Sequence, residues 1–261
     1  TAELAARVTK NLLIEKDLQK ALDSNEFELY YQPQISLVDG KVAGIEALIR
    51  WNHPDHGQLL PETFIHVADE SNLIDMISEW VLRTALSDYK KWSINGSIGP
   101  RIAVNITGRQ ITKEQSIKRI LNVLDEFELE PNILQLDLEI TEAALDRTDR
   151  TTNIINILKI RGVMFAIDDF GVGFSSLSRL KQLPVDTIKI APSFISDITD
   201  EGDDKAIVTA IIAMAHSLGL RVIAEGVETL SQVKVLRALD CDEIQGFYLS
   251  KPVPAGEIAR M

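Results

Sequence analysis

The chain has 261 residues, of which 45% are hydrophobic and 25% are charged, and its formal net charge is −12. This length suits one α/β barrel of about 250 residues, or one or two ordinary domains. The negative charge argues against a nucleic-acid polymer as a partner. No apolar run approaches the length of a membrane span, and the first residues lack the order of a signal peptide.

A single cysteine, Cys241, precludes an internal disulfide and favours a reducing compartment. We therefore expect a cytoplasmic domain that makes no membrane contact itself. Segments outside this chain could still anchor a longer protein to a membrane.

Residues 1–25 carry apolar side chains at roughly helical spacing, which predicts a charged amphipathic helix. These side chains are Leu4, Val8, Leu12, Ile14, Leu18 and Leu22. We interpret the helix as a linker from an upstream domain. Because no low-complexity stretch divides residues 26–261, we expect them to form one domain.

Short apolar runs alternate with longer helical patterns along this domain. Strands are predicted over 27–33, 42–51, 102–106, 133–140, 163–167, 187–190, 221–224 and 243–249. Helices are predicted over 62–69, 73–92, 112–127, 149–160, 174–181, 203–218 and 229–238. Thr112 and Thr229, each with a glutamine three residues on, are typical helix caps, and Gly162 and Gly219 are typical of helix ends.

Eight strands separated by helices indicate a parallel sheet, either a barrel or a doubly wound sheet. Eight is the strand number of the (β/α)₈ barrel. The first predicted strand is not followed by a glycine-rich phosphate loop, which weighs against a dinucleotide-binding fold.

Nearly every predicted strand has a polar side chain near its carboxyl end, where barrel enzymes place their chemistry. These residues are Glu46, Asn105, Glu139, Asp168, Asp169, Lys189, Glu225 and Gln245, with Glu142 just beyond the fourth strand. Each acid taken singly could pair with a local cation, but Lys189 and Arg50 are the only cations near five carboxylates. Because unpaired buried carboxylates are costly, a divalent metal is the simplest neutraliser, and oxygen ligands favour Mg²⁺ or Mn²⁺.

The adjacent acids Asp168 and Asp169 could reach two metals or bridge them, an arrangement suited to phosphodiester chemistry. Gly171-Val172-Gly173 follows them. This segment is either a mobile loop over the site or a plain turn capped by Ser175 or Ser176.

His53 and His56 have a spacing that could suggest a zinc pair. Neither a cysteine nor a third histidine joins them, so a loop pair without a metal role is the alternative. His66 and His216 fall in predicted helices and suggest no site.

Across residues 26–257 these patterns resemble the EAL domain family. The matching segments are Tyr31-Gln32-Pro33, Glu46-Ala47-Leu48-Ile49-Arg50-Trp51, Val104-Asn105-Ile106-Thr107, Glu139-Ile140-Thr141-Glu142, Asp168-Asp169-Phe170-Gly171-Val172-Gly173-Phe174-Ser175-Ser176-Leu177, Ile188-Lys189-Ile190, Ala224-Glu225-Gly226-Val227-Glu228 and Gln245-Gly246-Phe247. The resemblance implies a modified (β/α)₈ barrel with an antiparallel first strand. It also implies hydrolysis of cyclic di-GMP, a bacterial second messenger linked to biofilm formation, to linear 5′-pGpG with Mg²⁺ or Mn²⁺, and inhibition by Ca²⁺.

The resemblance also assigns roles to individual residues. It implies one metal held by Glu46, Asn105, Glu139 and Asp168, and a second held by Asp168, Asp169 and Glu225. Lys189 would orient or deprotonate the attacking water, and Gln245 would help to place it. Glu46 and Glu225 would also take part in catalysis. The substrate contacts would come from Gln32, Leu48, Arg50 and Asp168, and Glu142 would anchor the loop 170–176.

Two further expectations come from the family. Residues 17–22 resemble the linker helix between a GGDEF domain and an EAL domain, which implies an upstream GGDEF or sensor domain. Members of the family often dimerise, so we expect a homodimer.

Two positions depart from the family pattern. Ala191 replaces an aspartate that would share a strand face with Lys189, and Val172 replaces a small residue in the loop. The complete set of metal ligands favours an active phosphodiesterase. Ala191 favours the alternative, an EAL domain with little or no turnover that acts as a cyclic di-GMP receptor or a protein-interaction module. A related barrel with another phosphodiester substrate also remains open.

Overall fold

A computed structural model describes residues 2–92, 100–128, 133–139, 148–172, 180–198 and 203–258. The helices are α1 Ala2–Asp23, α2 Pro61–Glu70, α3 Ile74–Trp92, α4 Glu114–Phe127, α5 Thr148–Ile160, α6 Asp203–Ser217, α7 Leu230–Ala238 and α8 Ala255–Ile258. The strands are β1 Phe27–Ser36, β2 Val42–His53, β3 Gly57–Leu59, β4 Arg101–Thr107, β5 Leu134–Glu139, β6 Met164–Phe170, β7 Thr187–Ile190, β8 Arg221–Ala224, β9 Glu243–Ile244 and β10 Val253–Pro254.

Eight of the ten strands close into a barrel, which confirms the predicted fold. The order around the ring is β1–β2–β4–β5–β6–β7–β8–β9, and each neighbouring pair from β2 to β9 is parallel. The first strand is antiparallel to both of its neighbours, β2 and β9, and so closes the ring. The short strands β3 and β10 were not predicted and extend β2 and β1 outside it.

Burial on both faces explains why the barrel strands read as short apolar runs. All four residues of β7 are buried. Its alternate side chains Ile188 and Ile190 join the apolar core, whereas Thr187 and Lys189 occupy the other face of the strand. Helices cover the outside through apolar stripes, such as Ile117 and Ile120 of α4.

Most predicted boundaries agree with the structure, but two local predictions are wrong. Thr112 does not cap α4, because it lies in a short 3₁₀ helix and donates its hydroxyl to the carbonyl of Arg109 at 2.8 Å. The eighth strand ends at Ile244 instead of residue 249. Gly246 packs so closely on Val227 that a Cβ there would lie 2.2 Å from the Val227 carbonyl oxygen, and the chain turns at this contact.

Other cap predictions are confirmed. Thr229 and Gln232 form a reciprocal capping box at the start of α7. Gly162 and Gly219 have positive φ angles of 80° and 73° directly after α5 and α6, as helix-ending residues require. The helix predicted over 174–181 lies almost entirely outside the described residues.

The predicted N-terminal helix is confirmed as α1, although Leu12 lies off its buried face. Leu18 and Ala21 are fully buried, whereas Leu12 is 60% exposed. Its role as a linker stays a prediction. None of the described helices is long and apolar enough to span a membrane.

His53 has a structural role. Its Nδ1 accepts a hydrogen bond from the Asp55 amide at 3.1 Å, and its Nε2 lies 3.6 Å from a carboxylate oxygen of Asp17 in α1. The His56 ring packs 4.6 Å away, centre to centre. Both ring nitrogens of His53 therefore face protein groups, which favours the loop pair over a zinc pair.

Candidate functional site

A buried lysine lies at the centre of the carboxyl end of the barrel. The Lys189 Nζ of β7 lies 2.8 Å from Glu225, 3.1 Å from Asp168 and 3.5 Å from Glu46. These carboxylates come from the end of β8, from β6 and from β2. The parallel barrel thus brings together side chains from widely separated segments of the chain.

Glu46 is held by hydrogen bonds to both of its carboxylate oxygens. Asn105 of β4 donates its side-chain amide to Oε1 at 2.7 Å, and Gln245 donates to Oε2 at 2.6 Å. Glu46 itself is only 4% exposed. Its orientation is therefore determined by the surrounding protein.

The two consecutive acids of β6 reach the same edge through an irregularity in the strand. Neighbours in a regular strand point to opposite faces. The pairing of β6 with β7 shifts register between Ile167 and Phe170, and Asp169 has a φ of 49°. As a result, Asp168 and Asp169 both line the cavity above the barrel.

The site holds more negative charge than its described cations balance. Burial raises the pKa of Glu225 well above its usual range, although Lys189 opposes the shift. The pKa of Asp169 is also raised, first by partial loss of solvent and then by the charge of Asp168. Both shifts have the same direction, because burial and neighbouring carboxylates disfavour further negative charge at this end of the barrel.

A cavity of about 1360 Å³ is lined by two of these carboxylates, Asp168 and Asp169. Leu48 and Asn105 also line it, and it extends to Arg109 and Lys113, among others. Sites for small organic ligands typically enclose about 300–1,000 Å³. The space is therefore sufficient for a dinucleotide.

The remaining predicted contact residues, Gln32 of β1 and Arg50 of β2, are not among the described residues that line this cavity. Gln32 accepts from Gln245 at 3.0 Å and donates to the carbonyl of Ser250 at 3.0 Å. Arg50 donates to its neighbour's carbonyl at 2.8 Å, and its guanidinium lies 5.5 Å from the centre of the Tyr30 ring. Both side chains are largely buried.

Four predicted positions lie at the edge of the described residues or outside them. Glu139 ends β5 next to Asp168 in the backbone register, and its description is confined to the backbone. Glu142, Ser175 and Ser176 lie outside the described residues. In the described side chains, no group of three or more His, Cys, Asp or Glu has the arrangement of a metal site, since the acids converge on Lys189 instead.

The two departures from the family pattern have different surroundings. Ala191 directly follows β7, is 1% exposed, and donates its amide to the Phe170 carbonyl at 3.4 Å. Val172 is 67% exposed just after β6. The alanine therefore belongs to the packed base of the site, whereas the valine faces solvent.

A second buried polar layer, not predicted from the sequence, lies beneath the site. Arg101 forms a buried ion pair with Glu243 and donates to Gln34 at 2.8 Å and to Gln135 at 3.1 Å. The sequence did contain a signal for this layer, because Arg101 and Glu243 are residues of opposite charge at the first positions of two short apolar strands.

Comparison with known proteins places the chain in a family. The family model for the EAL domain matches residues 15–252. A protein of Pseudomonas aeruginosa named cyclic di-GMP phosphodiesterase NbdA is 40% identical over 97% of this chain and 32% of its own length. Escherichia coli cyclic di-GMP phosphodiesterase PdeR is 37% identical over 98% of this chain and 38% of its own length. The chain thus spans about a third of the length of these relatives.

Solved structures agree with this result. The PaMucR phosphodiesterase in complex with c-di-GMP superposes with a TM-score of 0.87 at 39% identity, covering 94% of this chain and 99% of that one. The cGMP-bound form of the EAL enzyme Bd1971 gives a TM-score of 0.91 at 31% identity, covering 98% and 70% of the two chains. Because the EAL family model matches residues 15–252 and the barrel superposes on a solved EAL enzyme, this chain belongs to the EAL domain family.

Proposed function

We propose that this domain hydrolyses cyclic di-GMP to linear 5′-pGpG and so lowers the concentration of a second messenger linked to biofilm control. The observation that carries the proposal is the excess of described carboxylates around Lys189, of which Asp168 and Asp169 also line a cavity large enough for a dinucleotide. Relatives that are 37–40% identical are named cyclic di-GMP phosphodiesterases, which supports this substrate.

The chemistry of the site fits divalent cations. Glu46, Asp168, Asp169 and Glu225 supply carboxylate oxygens and Asn105 supplies an amide, the donors that Mg²⁺ and Mn²⁺ prefer. The raised pKa values of Glu225 and Asp169 support the need for additional positive charge. We propose that these residues, with Glu139, hold two ions, which would neutralise charge on the phosphate and favour ionisation of a water molecule.

The protein's own side chains supply position and orientation. Hydrolysis adds a water oxygen to phosphorus and breaks the bond from phosphorus to the 3′ oxygen, which leaves as a hydroxyl. We assign orientation or deprotonation of the attacking water to Lys189, and its placement to Gln245. Gln32, Leu48 and Arg50 contact the dinucleotide in this proposal, and Glu142 anchors the loop 170–176.

A receptor with little turnover is the second candidate. It is favoured by Ala191, which is buried beside β7 where the family pattern has a carboxylate. A receptor would bind cyclic di-GMP in the same cavity without forming product. The two functions therefore differ in one measurable property, the appearance of 5′-pGpG.

The test is incubation of the purified domain with cyclic di-GMP and Mg²⁺, Mn²⁺ or Ca²⁺, followed by chromatography. We expect 5′-pGpG with Mg²⁺ or Mn²⁺, inhibition by Ca²⁺, and no product from the control variant Glu46→Ala. Binding by calorimetry without product would establish the receptor instead. Product from Glu46→Ala would refute its assignment as a metal ligand.

We also propose a homodimer in the cytoplasm that receives signals from an upstream GGDEF or sensor domain. Ile157 and Ile160, 48% and 84% exposed at the end of α5, provide apolar surface for such an interface. A reducing compartment suits the buried Cys241 thiol, whose pKa is raised to about 12 by burial. Sedimentation analysis of the wild type and Ile160→Glu tests the dimer.

A further inference from the structure

Gln34 connects the two buried polar layers of the barrel. Its amide nitrogen donates to the side-chain oxygen of Gln245 at 2.8 Å, and its amide oxygen accepts from Arg101 at 2.8 Å. Gln245 in turn donates to Glu46 at 2.6 Å. A continuous chain of hydrogen bonds therefore runs from Arg101 beneath the site to Glu46 within it.

The direction of this chain is determined at the Arg101 end. A guanidinium can only donate hydrogen bonds, so the group of Gln34 that faces Arg101 has to be its oxygen. The nitrogen of Gln34 then faces Gln245, which has to present its own oxygen in return. This leaves the nitrogen of Gln245 directed at Glu46 and at the side-chain oxygen of Gln32.

Arg101 itself is firmly held in place. Besides the ion pair with Glu243, it donates to Gln135 at 3.1 Å and to the Ala43 carbonyl at 3.2 Å. Room for its contact with Gln34 exists because position 44 is glycine. A Cβ at Gly44 would lie 2.3 Å from the Gln34 oxygen and 2.9 Å from the central carbon of the Arg101 guanidinium.

We infer that Gln34 is a positioning residue that keeps the amide of Gln245 in the orientation needed to hold Glu46. The inference rests on the roles proposed above for Glu46 and Gln245. A reversed Gln245 amide would place its oxygen against the Glu46 carboxylate, a repulsive contact in a buried site. Arg101 acts one step further away, by determining which way Gln34 points.

The test exploits two glutamines that bond the same guanidinium. Gln34→Glu keeps an acceptor for Arg101 but removes the donor to Gln245, so that Gln245 is free to reverse. Gln135→Glu makes the same chemical change against the same guanidinium and serves as the matched control. No hydrogen bond from Gln135 to Gln245 occurs among the described contacts.

Three measurements are made on both variants. They are kcat and KM for cyclic di-GMP, the thermal unfolding midpoint, and the side-chain ¹⁵N–¹H signals of Gln245 in the metal-free protein, assigned by their loss in Gln245→Glu. In Gln34→Glu we expect kcat to fall about 10–100-fold with little change in KM, and the Gln245 signals to shift. In Gln135→Glu we expect kcat and those signals to stay close to wild type.

Equal losses of kcat in the two variants would overturn the inference, because they would show a general effect of charge or packing in the lower layer. Unchanged Gln245 signals in Gln34→Glu would overturn it as well. If the wild type forms no 5′-pGpG, the proposed function fails, while the spectra of the metal-free protein still decide whether Gln34 orients Gln245.

Discussion

The barrel contains two buried polar layers that differ in charge balance. The upper layer, at the carboxyl ends of the strands, surrounds Lys189 with Glu46, Asp168, Asp169 and Glu225 in the described part of the site. The lower layer pairs Arg101 with Glu243, and the glutamines around them accept or donate hydrogen bonds. The described charges of the lower layer balance one another, whereas the described carboxylates of the upper layer outnumber its cation, Lys189.

The two layers lie only two residues apart along the strands that form them. Three strands each supply one residue to the lower layer and one to the upper layer. These pairs, lower layer first, are Gln34 and Gln32 of β1, Thr187 and Lys189 of β7, and Glu243 and Gln245 at β9. Side chains two apart share a strand face, which accounts for the stacking. Position in the sequence alone therefore does not distinguish residues of the functional layer from residues of the structural layer, whereas the charge balance of each layer does.

Arg101→Met should produce the largest loss of stability. Among the described side chains, the substitution leaves buried Glu243 with the partly exposed Arg221, 3.3 Å away, as its charged partner. Breaking a buried ion pair by removing one partner typically lowers the free energy of unfolding by about 3–5 kcal/mol. Urea denaturation followed by circular dichroism measures the change.

The double variant Arg101→Met with Glu243→Met is the control for this prediction. Because apolar replacement of both partners removes the stranded charge, it should recover at least half of the lost stability. A double variant as unstable as the single one would show that the lower layer is not a self-contained pair.

Glu46→Gln should reduce turnover strongly but reduce stability less than Arg101→Met does. The substitution keeps the shape of the side chain but removes one negative charge from the surplus, so the free energy of unfolding of the metal-free protein should change less than in Arg101→Met. Turnover should fall by about 10²–10³-fold, the usual effect of removing one positioned electrostatic group. Steady-state kinetics and urea denaturation of the same preparation measure the effects on turnover and on stability. A stability loss equal to that of Arg101→Met would contradict the proposed difference between the two layers.

Glu225→Gln should produce the smallest change in stability. The change should be measurable in the metal-free protein at neutral pH. The folded pKa of Glu225 is raised, so the group favours the folded state below its unfolded pKa, and this contribution is lost as pH rises through the folded value. The neutral glutamine should therefore raise the thermal midpoint of the metal-free protein. Mg²⁺ at 100 times its dissociation constant should add about 2.7 kcal/mol to the wild type and less to the variant.

Scanning calorimetry with and without chelator measures this difference. A variant that is less stable than the wild type without metal would mean that the contact of Glu225 with Lys189 outweighs its burial. Equal stabilisation of both proteins by Mg²⁺ would argue against Glu225 as a ligand.

Features determined by short-range patterns could be predicted from the sequence. Apolar runs broken by capping residues located all eight barrel strands, and polar residues such as Glu46 and Lys189 stood out because apolar strands rarely contain them. The end of the eighth strand was missed, since it depends on the contact of Gly246 with Val227. The lower layer was missed because its partners are far apart, as with Arg101 and Glu243 at a separation of 142 residues.

The closure of the ring by β1 has a consequence for the order of folding. This strand pairs with its neighbour β2 within a hairpin, but also with β9 through Ile35 and Ile244. Joining segments so distant in the chain carries a large loop-closure entropy and a high contact order. During synthesis the hairpin with Glu46 emerges before the other barrel strands, yet the contact of Glu46 with Gln245 can form only after all of them have been translated.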